Sequence, residues 1–520
     1  MVGTNIMNTQ NAQIRSTNRY RFFESLPGLI SWSLVGLAFL LAFQSPIVFV
    51  MVIFAFTLYW VFSAFRIARW AWKGMQKIRT TVSTDWVEKL NKDFPQWKDY
   101  YYCAILPYAS ESINILRPTV QSICDSKYPA DRKILCLSSE KAIPGGRFVS
   151  EQIRSEFAGQ FAHIFVTEHE LKPGELKGKA SNQNHAGRIL YEKMMGLGID
   201  PAKVLFSSND ADVLNDLQYP PYLLHTYLSA GEDKDCYIYQ PIPTDYNNFW
   251  TAQFFSRVII STGVLWRTAL QIRADYRCTV YAFYSMTLQT LHNIGYWDTD
   301  QIPEDERTMF KAIMAFGNRF KVIPLFMLTK GSPVCGTDAV QSFREQYIQI
   351  RRWAWGASEF AHSMTQYKKA PKDRKKALKG PIFNQLRTST EWALSSFLLM
   401  FAGYLPGLFH SSFHLTPVGK SYSIVFSILM TMASFLIIAI IIMDRKFAPP
   451  KPVNRTRVFS FISYAQWLLA PVIGLILSAL PAFESQTRMI FNRRIAYVES
   501  KKEQDDVSVL HVAESSPVRG

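Results

Sequence analysis

Two carboxylates, Asp210 and Asp212, are separated by one residue and directly follow the apolar run at 204–206. An apolar run that ends in polar residues is typical of a buried strand and its exit into a loop. Carboxylates in this position could hold a divalent cation, because Mg²⁺ binds through one or two carboxylates together with substrate phosphates. The alternative is an ordinary polar strand exit, and the same spacing recurs at Asp298 and Asp300.

A second acidic pair, Glu304 and Asp305, follows Pro303 and precedes apolar residues at helical spacing. Acidic side chains are favourable at any helix N-terminus, so the pair could be purely structural. A carboxylate here could instead act as a general base that takes a proton from an attacking hydroxyl. Both interpretations predict a helix that begins near residue 304.

Three polar or aromatic residues, Gln349, Arg352 and Trp353, lie in a predicted helix at 341–362. Their spacing of three and four places them on roughly one face of that helix. Arginine can neutralise a diphosphate, glutamine can donate hydrogen bonds, and an indole can stack on a sugar ring. A partly buried amphipathic helix whose arginine extends to solvent would show the same pattern.

Lys179 opens a further predicted helix after two glycines, Gly174 and Gly178. A lysine together with the amides of a helix N-terminus suits contacts to phosphate. The stretch would equally serve as a capped helix start, with Ser181 or Asn182 as the cap.

The elements that must position these residues alternate between strands and helices. Strands are predicted at 101–106, 133–137, 163–166, 204–207 and 237–240, with helical stretches between them. This alternation indicates a mostly parallel α/β sheet with helices on both faces. Ligands bind such sheets at the carboxyl ends of the strands, which is where Asp210 and Asp212 fall.

Long apolar runs frame this region in a chain of 520 residues with a formal charge of +16. Runs occur at 26–43, 47–65, 392–409, 424–443 and 458–480. Each is near the roughly 20 residues that span a bilayer core, and the first two predict a hairpin. Basic residues on both sides of that hairpin place its ends in the cytoplasm, so the α/β domain is predicted to be cytosolic on an integral plasma-membrane protein.

The last run, 458–480, contains Pro471 and has basic residues on both flanks. Basic flanks favour the same side of the membrane for both ends. The sequence therefore predicts a broken, re-entrant hairpin, which is tolerated where protein shields the backbone. At the start of the third run, Glu391 and Trp392 are candidates either for lining a polar path or for interfacial anchoring.

A basic cluster precedes the third run, at Lys368, Lys372, Arg374, Lys375, Lys376 and Lys379. Juxtamembrane clusters of this kind attract anionic membrane lipids. No pattern resembles a base-reading module, so nucleic acid is not an expected partner. The six cysteines include no Cys-x-x-Cys pair, which argues against a zinc site.

The order of the motifs resembles that of membrane-bound family 2 glycosyltransferases, the group of cellulose, chitin and hyaluronan synthases. The motifs are Lys-Ala-x-Asn-x-Asn at 179–184, Asp-x-Asp at 210–212, Gly-Tyr-Trp at 295–297 leading to Glu-Asp, and Gln-x-x-Arg-Trp at 349–353. The resemblance covers about residues 100 to 360. It implies a GT-A-type fold inserted between transmembrane helices, an inverting mechanism, a nucleotide-sugar donor (UDP-linked by expectation), a glycan acceptor and Mg²⁺ or Mn²⁺.

The resemblance also implies roles for single residues. Asp210 would contact the nucleotide and, with Asp212, the metal, while Asp305 would be the base beside Glu304. Further donor-binding residues would be Pro107, Glu140, Lys179, Asn182, Gln349 and Arg352. Trp353 and Trp297 would lie on the acceptor side.

The sequence departs from that family's pattern in three places. Glu140 stands where the family usually has an aspartate after the second strand, which leaves the nucleobase open. Pro107 and Glu111 match the end of the first strand, but the asparagine expected between them is missing. A gating-like loop at 496–501 matches only at Val498 and Lys501.

The resulting organisation has six parts. They are a cytosolic tail at 1–25, a transmembrane hairpin at 26–65, a glycosyltransferase domain at 80–365, a basic interfacial segment at 366–390, a membrane region at 391–482 and a cytosolic tail at 483–520. The expected function is elongation of a β-linked polysaccharide, which the same protein could also secrete. Transfer of one sugar to a lipid carrier or another acceptor is the alternative, and a non-catalytic membrane scaffold is a third. Oligomeric state stays open.

Overall fold

The computed structural model describes residues 17–273, 279–452 and 456–495. The gating-like string at 496–501 and Cys278 lie outside the described residues.

A seven-stranded sheet forms the centre of the α/β domain, in the order β3-β2-β1-β4-β6-β5-β7. Its strands are β1 Tyr101–Pro107, β2 Lys133–Glu140, β3 His163–His169, β4 Val204–Ser208, β5 Tyr237–Thr244, β6 Tyr284–Thr287 and β7 Lys321–Lys330. β6 runs antiparallel to β4 and β5, and all other pairs are parallel. The mostly parallel sheet was predicted, whereas β6 and β7 were not.

Eighteen α-helices are described in these parts of the chain. They are α1 Asn18–Gln44, α2 Pro46–Ser83, α3 Trp86–Asp93, α4 Ile113–Cys124, α5 Gly146–Glu156, α6 Lys179–Gly196, α7 Tyr219–Leu228, α8 Phe254–Arg273, α9 Leu288–Asn293, α10 Glu304–Phe316, α11 Ala339–Ala354, α12 Glu359–Lys369, α13 Lys372–Phe401, α14 Leu405–Phe409, α15 Pro417–Phe447, α16 Arg457–Ala465, α17 Ala470–Gly474 and α18 Leu480–Ile490.

Alternation along β1 divides the domain core into two layers. Tyr102, Ala104 and Leu106 pack into one apolar cluster, whereas Cys103 and Ile105 pack into the other. Successive side chains of a strand point to opposite faces, so each face of the sheet needs its own cover of helices. Helices α4 and α5 supply residues to the first cluster, and α6 and α10 supply residues to the second.

Five helical segments are long and apolar enough to cross a membrane, which indicates a membrane protein. They are Asn18–Gln44, Pro46–Ser83, Lys372–Phe409, Pro417–Phe447 and Arg457–Ile490. The helices extend beyond the apolar runs: α2 continues to Ser83, and its end packs on the sheet through Ile78. The basic cluster at 368–379 lies where α12 ends and α13 begins, so it belongs to helices and not to a separate segment.

The predicted re-entrant hairpin at 458–480 is wrong. Residues 457–490 are helical throughout, with a 3₁₀ stretch at 466–469 and a π stretch at 475–479. Pro471 stands in the first turn of α17, where proline is tolerated, so the chain does not reverse there.

This continuous segment contacts helices α8, α11 and α1. Near its start, Gln466 accepts a hydrogen bond from Arg257 at 3.2 Å. Near its end, Glu484 lies 2.9 Å from Arg351 of α11, and the Met489 carbonyl accepts from Arg21 at 2.9 Å.

Candidate active site

The residues singled out in the sequence meet along one cavity of about 1790 Å³ at the carboxyl ends of β1, β2 and β4. Those on its wall are Pro107, Glu140, Lys179, Asn182, Asp210, Asp212, Glu304, Asp305, Gln349, Arg352 and Trp353. Their positions in the chain span nearly 250 residues, so only the fold brings them together. Their individual roles stay predictions.

Lys179 connects the two acidic strings. Its ammonium nitrogen lies 2.5 Å from Asp210 Oδ1 and 3.4 Å from Glu304 Oε1. It also donates to the Ala282 carbonyl at 2.8 Å. Burial alone would lower the pKa of Lys179, but the charges of Asp210 and Glu304 raise it above its usual value. The lysine is therefore a permanent cation between β4 and α10.

Asp212 is buried, and its Oδ2 accepts the Ser332 amide at 2.8 Å. The Asp210 side chain is one-third exposed. Among the described residues no group of three or more histidine, cysteine or acidic side chains could hold a metal by itself. Two carboxylates at a strand end nevertheless fit a hard cation whose remaining ligands come from a diphosphate.

The second Asp-x-Asp string, which has the same spacing, has a structural role at its first residue. Asp298 accepts from Arg307 at 2.9 Å and from Lys311 at 2.6 Å, both on α10. Arg307 is also paired with the buried Glu359 of α12. This network fixes α10, and thereby the acidic residues at its N-terminus, against α12.

Asp305 is the acid of α10 whose protonation is best matched to catalysis. Burial raises the pKa of its carboxyl, and the charge of Glu304 raises it further, to about 7. A general base works best when its pKa lies near the working pH. Glu304 is already engaged with Lys179, which leaves Asp305 as the carboxylate on the cavity wall with this property.

Glu306, the third consecutive acid, was missed by the sequence interpretation. Burial and then the charge of Asp305 raise the pKa of Glu306 well above its usual value. It lines the cavity beside Gly356 and Gln385. A protonated carboxyl can donate as well as accept, so Glu306 is suited to bind a hydroxyl. The signal available in the sequence was the run of three acids itself.

Helix α11 presents Gln349, Arg352 and Trp353 to the cavity, as their spacing predicts. Gln349 is buried and accepts from Gln346 at 3.1 Å, while Trp353 is 40% exposed. The predicted single helix at 341–362 is in fact interrupted by a 3₁₀ turn, Trp355–Ser358, before α12 begins. Glu484 of the last membrane segment holds α11 through Tyr347 and Arg351, each at 2.9 Å.

Glu140 is held by a buried histidine that the sequence interpretation did not identify. Its Oε2 lies 3.0 Å from His169 Nδ1, and Glu175 Oε2 lies 3.0 Å from His169 Nε2. Burial lowers the pKa of His169, but the two carboxylates outweigh this and raise it to about 9. Glu140 Oε1 is buried without a hydrogen-bond partner among the described residues. That oxygen can accept a hydrogen bond from a ligand.

Asn182 and Trp297 make contacts within the domain core that the sequence did not predict. Asn182 is buried and donates to the carbonyls of Tyr108 at 3.2 Å and Ser138 at 2.9 Å, so it ties the ends of β1 and β2 together. Trp297 is 1% exposed and packs edge-to-face on Phe206. It is absent from the cavity wall. The ring of Trp297 therefore fills the core and does not lie beside Trp353 on that wall.

The cavity continues from the acidic residues into the space between the long helices. Lining residues there include Tyr59, Trp60 and Arg66 of α2, Arg267 of α8, and Arg387, Glu391 and Trp392 of α13. Tyr59 donates to Glu391 at 2.9 Å, and Arg387 bonds the same carboxylate at 2.8 Å. Glu391 therefore joins α2 to α13 at the wall of this cavity.

No protein-family model matches the chain, and no curated protein matches it. Among solved structures, a mannosyltransferase, PcManGT from Pyrobaculum calidifontis in complex with GDP-Man and Mn²⁺, is 13% identical, covering 81% of this chain and 98% of its own, with a TM-score of 0.39. S. aureus TarS 1-349 in complex with UDP-GlcNAc is 12% identical, covering 72% and 90%, with a TM-score of 0.35. At these identities and TM-scores the alignments do not indicate the substrate or the reaction of this chain. Both are inferred below from its side chains.

Proposed function

We propose that this chain is a membrane glycosyltransferase that transfers a sugar from a nucleotide-sugar donor to a growing glycan. The observation that carries the proposal is the single cavity that joins the Asp210–Asp212 pair and Asp305 to Trp353 and then continues between α2 and α13. A scaffold protein would have no need of a carboxylate whose pKa is raised to about 7 on the wall of such a cavity.

In this proposal the donor lies across the carboxyl ends of β1, β2 and β4. Asp210 and Asp212 would hold Mg²⁺ or Mn²⁺, which supplies charge neutralisation to the diphosphate. Arg352 is the cation of α11 on the same wall and would stabilise the leaving group. Lys179 keeps Asp210 and Glu304 in place while the site is empty.

Asp305 would act on the acceptor. Its carboxylate takes the proton of an acceptor hydroxyl as that oxygen bonds to the anomeric carbon and the bond to the diphosphate breaks. Attack from the face opposite the leaving group inverts the anomeric centre. The exposed indole of Trp353 offers a surface on which the acceptor ring can stack.

Glu140 favours a uridine donor. His169 occupies Oε2, so Oε1 is the oxygen that remains to accept a base N–H. Uracil presents one N–H on its pairing edge, whereas guanine presents adjacent donors that suit both oxygens of a carboxylate. The proposed donor is therefore a UDP-sugar used on the cytosolic face of the plasma membrane.

The continuation of the cavity between membrane helices supports extension of a polymer that leaves through them. The experiment is a panel of UDP- and GDP-sugars with Mg²⁺ or Mn²⁺ and purified protein in nanodiscs, read out as released nucleotide and product length. Release of nucleotide with chains of many sugars is expected. A product that carries one added sugar would contradict polymerisation, and no release with any donor would contradict the transferase.

A further inference from the structure

The helix-lined end of the cavity carries an excess of positive charge. The residues that α2, α8 and α13 contribute to its wall include four arginines and one glutamate, namely Arg66, Arg267, Arg273, Arg387 and Glu391. The glutamate is already paired with Arg387 at 2.8 Å. Cationic side chains beside membrane helices are costly and mark the routes of substrates and ions.

Two of these arginines, Arg66 and Arg267, have no anionic partner among the residues that the structure describes. The described contacts of Arg66 are a hydrogen bond to Ser63 at 3.1 Å and the face of Trp70 at 5.3 Å, and neither of those residues is charged. Arg267 Nε is buried without a hydrogen-bond partner among the described residues. A guanidinium held in this way gains most from a carboxylate or a phosphate group.

The surroundings of these arginines suit a sugar chain better than a lipid tail. Trp60 and Trp266 also line the cavity and offer faces on which sugar rings can stack. The Trp60 Nε1 and Ser395 Oγ atoms are buried without hydrogen-bond partners among the described residues. Hydroxyl groups of a glycan would satisfy them, whereas an acyl or prenyl chain would leave them unpaired.

We propose that the helix-lined end of the cavity binds an acidic glycan, with Arg66 and Arg267 contacting its carboxylates. The inference rests on the proposed function, since the same cavity begins at Asp305, and it narrows the product class to polymers that contain uronic acids or similarly charged sugars. The two arginines lie on α2 and α8, so an anionic residue of the chain would be held between two helices.

The test compares two probes of equal length, β-1,4-linked hexamers of glucuronate and of glucose, that bind the full-length protein in nanodiscs. At low ionic strength the wild type is expected to bind the acidic hexamer at least about tenfold more tightly, and salt should reduce this preference. The double variant Arg66→Gln/Arg267→Gln should lose the preference. Equal affinity of the two hexamers for the wild type would overturn the proposal.

Matched variants separate charge from folding. Arg69→Gln removes an exposed arginine of α2 that is absent from the cavity wall, and it should keep the preference. Arg267→Lys retains the positive charge and should keep most of the preference for the acidic hexamer. If the double variant still prefers the acidic hexamer, these arginines do not bind an acidic glycan. The same conclusion follows if the double variant changes donor KM and leaves the preference for the acidic hexamer unchanged.

Two further measurements distinguish a glycan carboxylate from a lipid phosphate, and a failure of this inference from a failure of the proposed transferase. Displacement of the bound acidic hexamer by a polyprenyl phosphate, with loss of polyprenyl phosphate binding in the double variant, would assign the site to a lipid phosphate and overturn the glycan. Nucleotide release from UDP-sugars is measured in parallel. Release without acidic preference defeats this inference alone, whereas acidic preference without release from any donor defeats the proposed transferase.

Discussion

The ammonium group of Lys179 lies 2.5 Å from the Asp210 carboxylate, at the point where α6 meets the end of β4. The same nitrogen reaches Glu304 of α10 at 3.4 Å. One buried cation thus joins the two acidic strings that are 94 positions apart in the sequence. It compensates carboxylates that would otherwise repel each other while no donor is bound.

Removal of this cation should impair catalysis through Asp305. Lys179 helps to keep the pKa of Asp305 down, so Lys179→Met should raise that pKa and move the activity profile to higher pH. We expect turnover at pH 7 to fall by about 100-fold or more, because a preorganised charge is lost from the site. Lys177→Met, on the same cavity wall but outside this ion-pair network, is the control, and an unchanged pH profile in Lys179→Met would contradict the argument.

Replacement of the predicted base should abolish transfer without weakening the fold. Asp305→Asn is expected to reduce turnover by about 10²–10⁴-fold, the usual contribution of a general base. Ionisation of Asp305 disfavours the folded state because its pKa is raised in the fold, so the asparagine variant should unfold at a temperature equal to or above that of the wild type at pH 8. Donor turnover at the wild-type rate would show that the base is another residue.

The rate should depend on pH in a direction set by Asp305. Since the base must be ionised, turnover should rise with pH and reach half its maximum near pH 7. The free energy of unfolding should fall as pH rises. The pKa of Asp305 is raised from 3.8 to about 7 in the folded state, so the folded protein binds this proton more tightly than the unfolded chain does. Initial rates and thermal unfolding between pH 5 and about 8.5 test both. A rate that is flat across this range would argue against Asp305.

Donor binding should fail at high pH for a separate reason. The folded pKa of His169 is raised from 6.5 to about 9, so the stabilisation from its contacts with Glu140 and Glu175 is complete below about 6.5 and is lost as pH rises through about 9. We expect donor KM to increase above pH 9 in the wild type. His169→Gln should show the increase already at pH 7, and His163→Gln, on the same strand, should not.

Metal dependence should follow Asp212. Asp212→Asn is expected to weaken binding of Mn²⁺ in the presence of UDP by at least about tenfold, measured by electron paramagnetic resonance, and to abolish nucleotide release. Asp99→Asn changes an exposed aspartate and serves as the control. Binding of Mn²⁺ with wild-type affinity in Asp212→Asn would place the cation elsewhere.

The positions of the Trp297 and Glu391 side chains relative to the cavity could not be predicted from motif spacing. Trp297 stands in the predicted order of motifs, yet its ring is buried in the core against Phe206. Glu391 was equally compatible with an interfacial anchor, and its contacts with Tyr59 place it on the cavity wall.

The sequence by itself determined the alternation of strands and helices, the apolar segments and the acidic, basic and aromatic residues around which the site forms. Those features are local, since apolar periodicity and terminal charges act within a few residues of the chain. The tertiary structure decided which Asp-x-Asp string faces the cavity, that His169 holds Glu140, and that residues 457–490 remain one helical segment. These features depend on contacts that only the fold creates, such as those of Asp298 with Arg307 and of Lys179 with Asp210. Local sequence patterns do not predict such contacts.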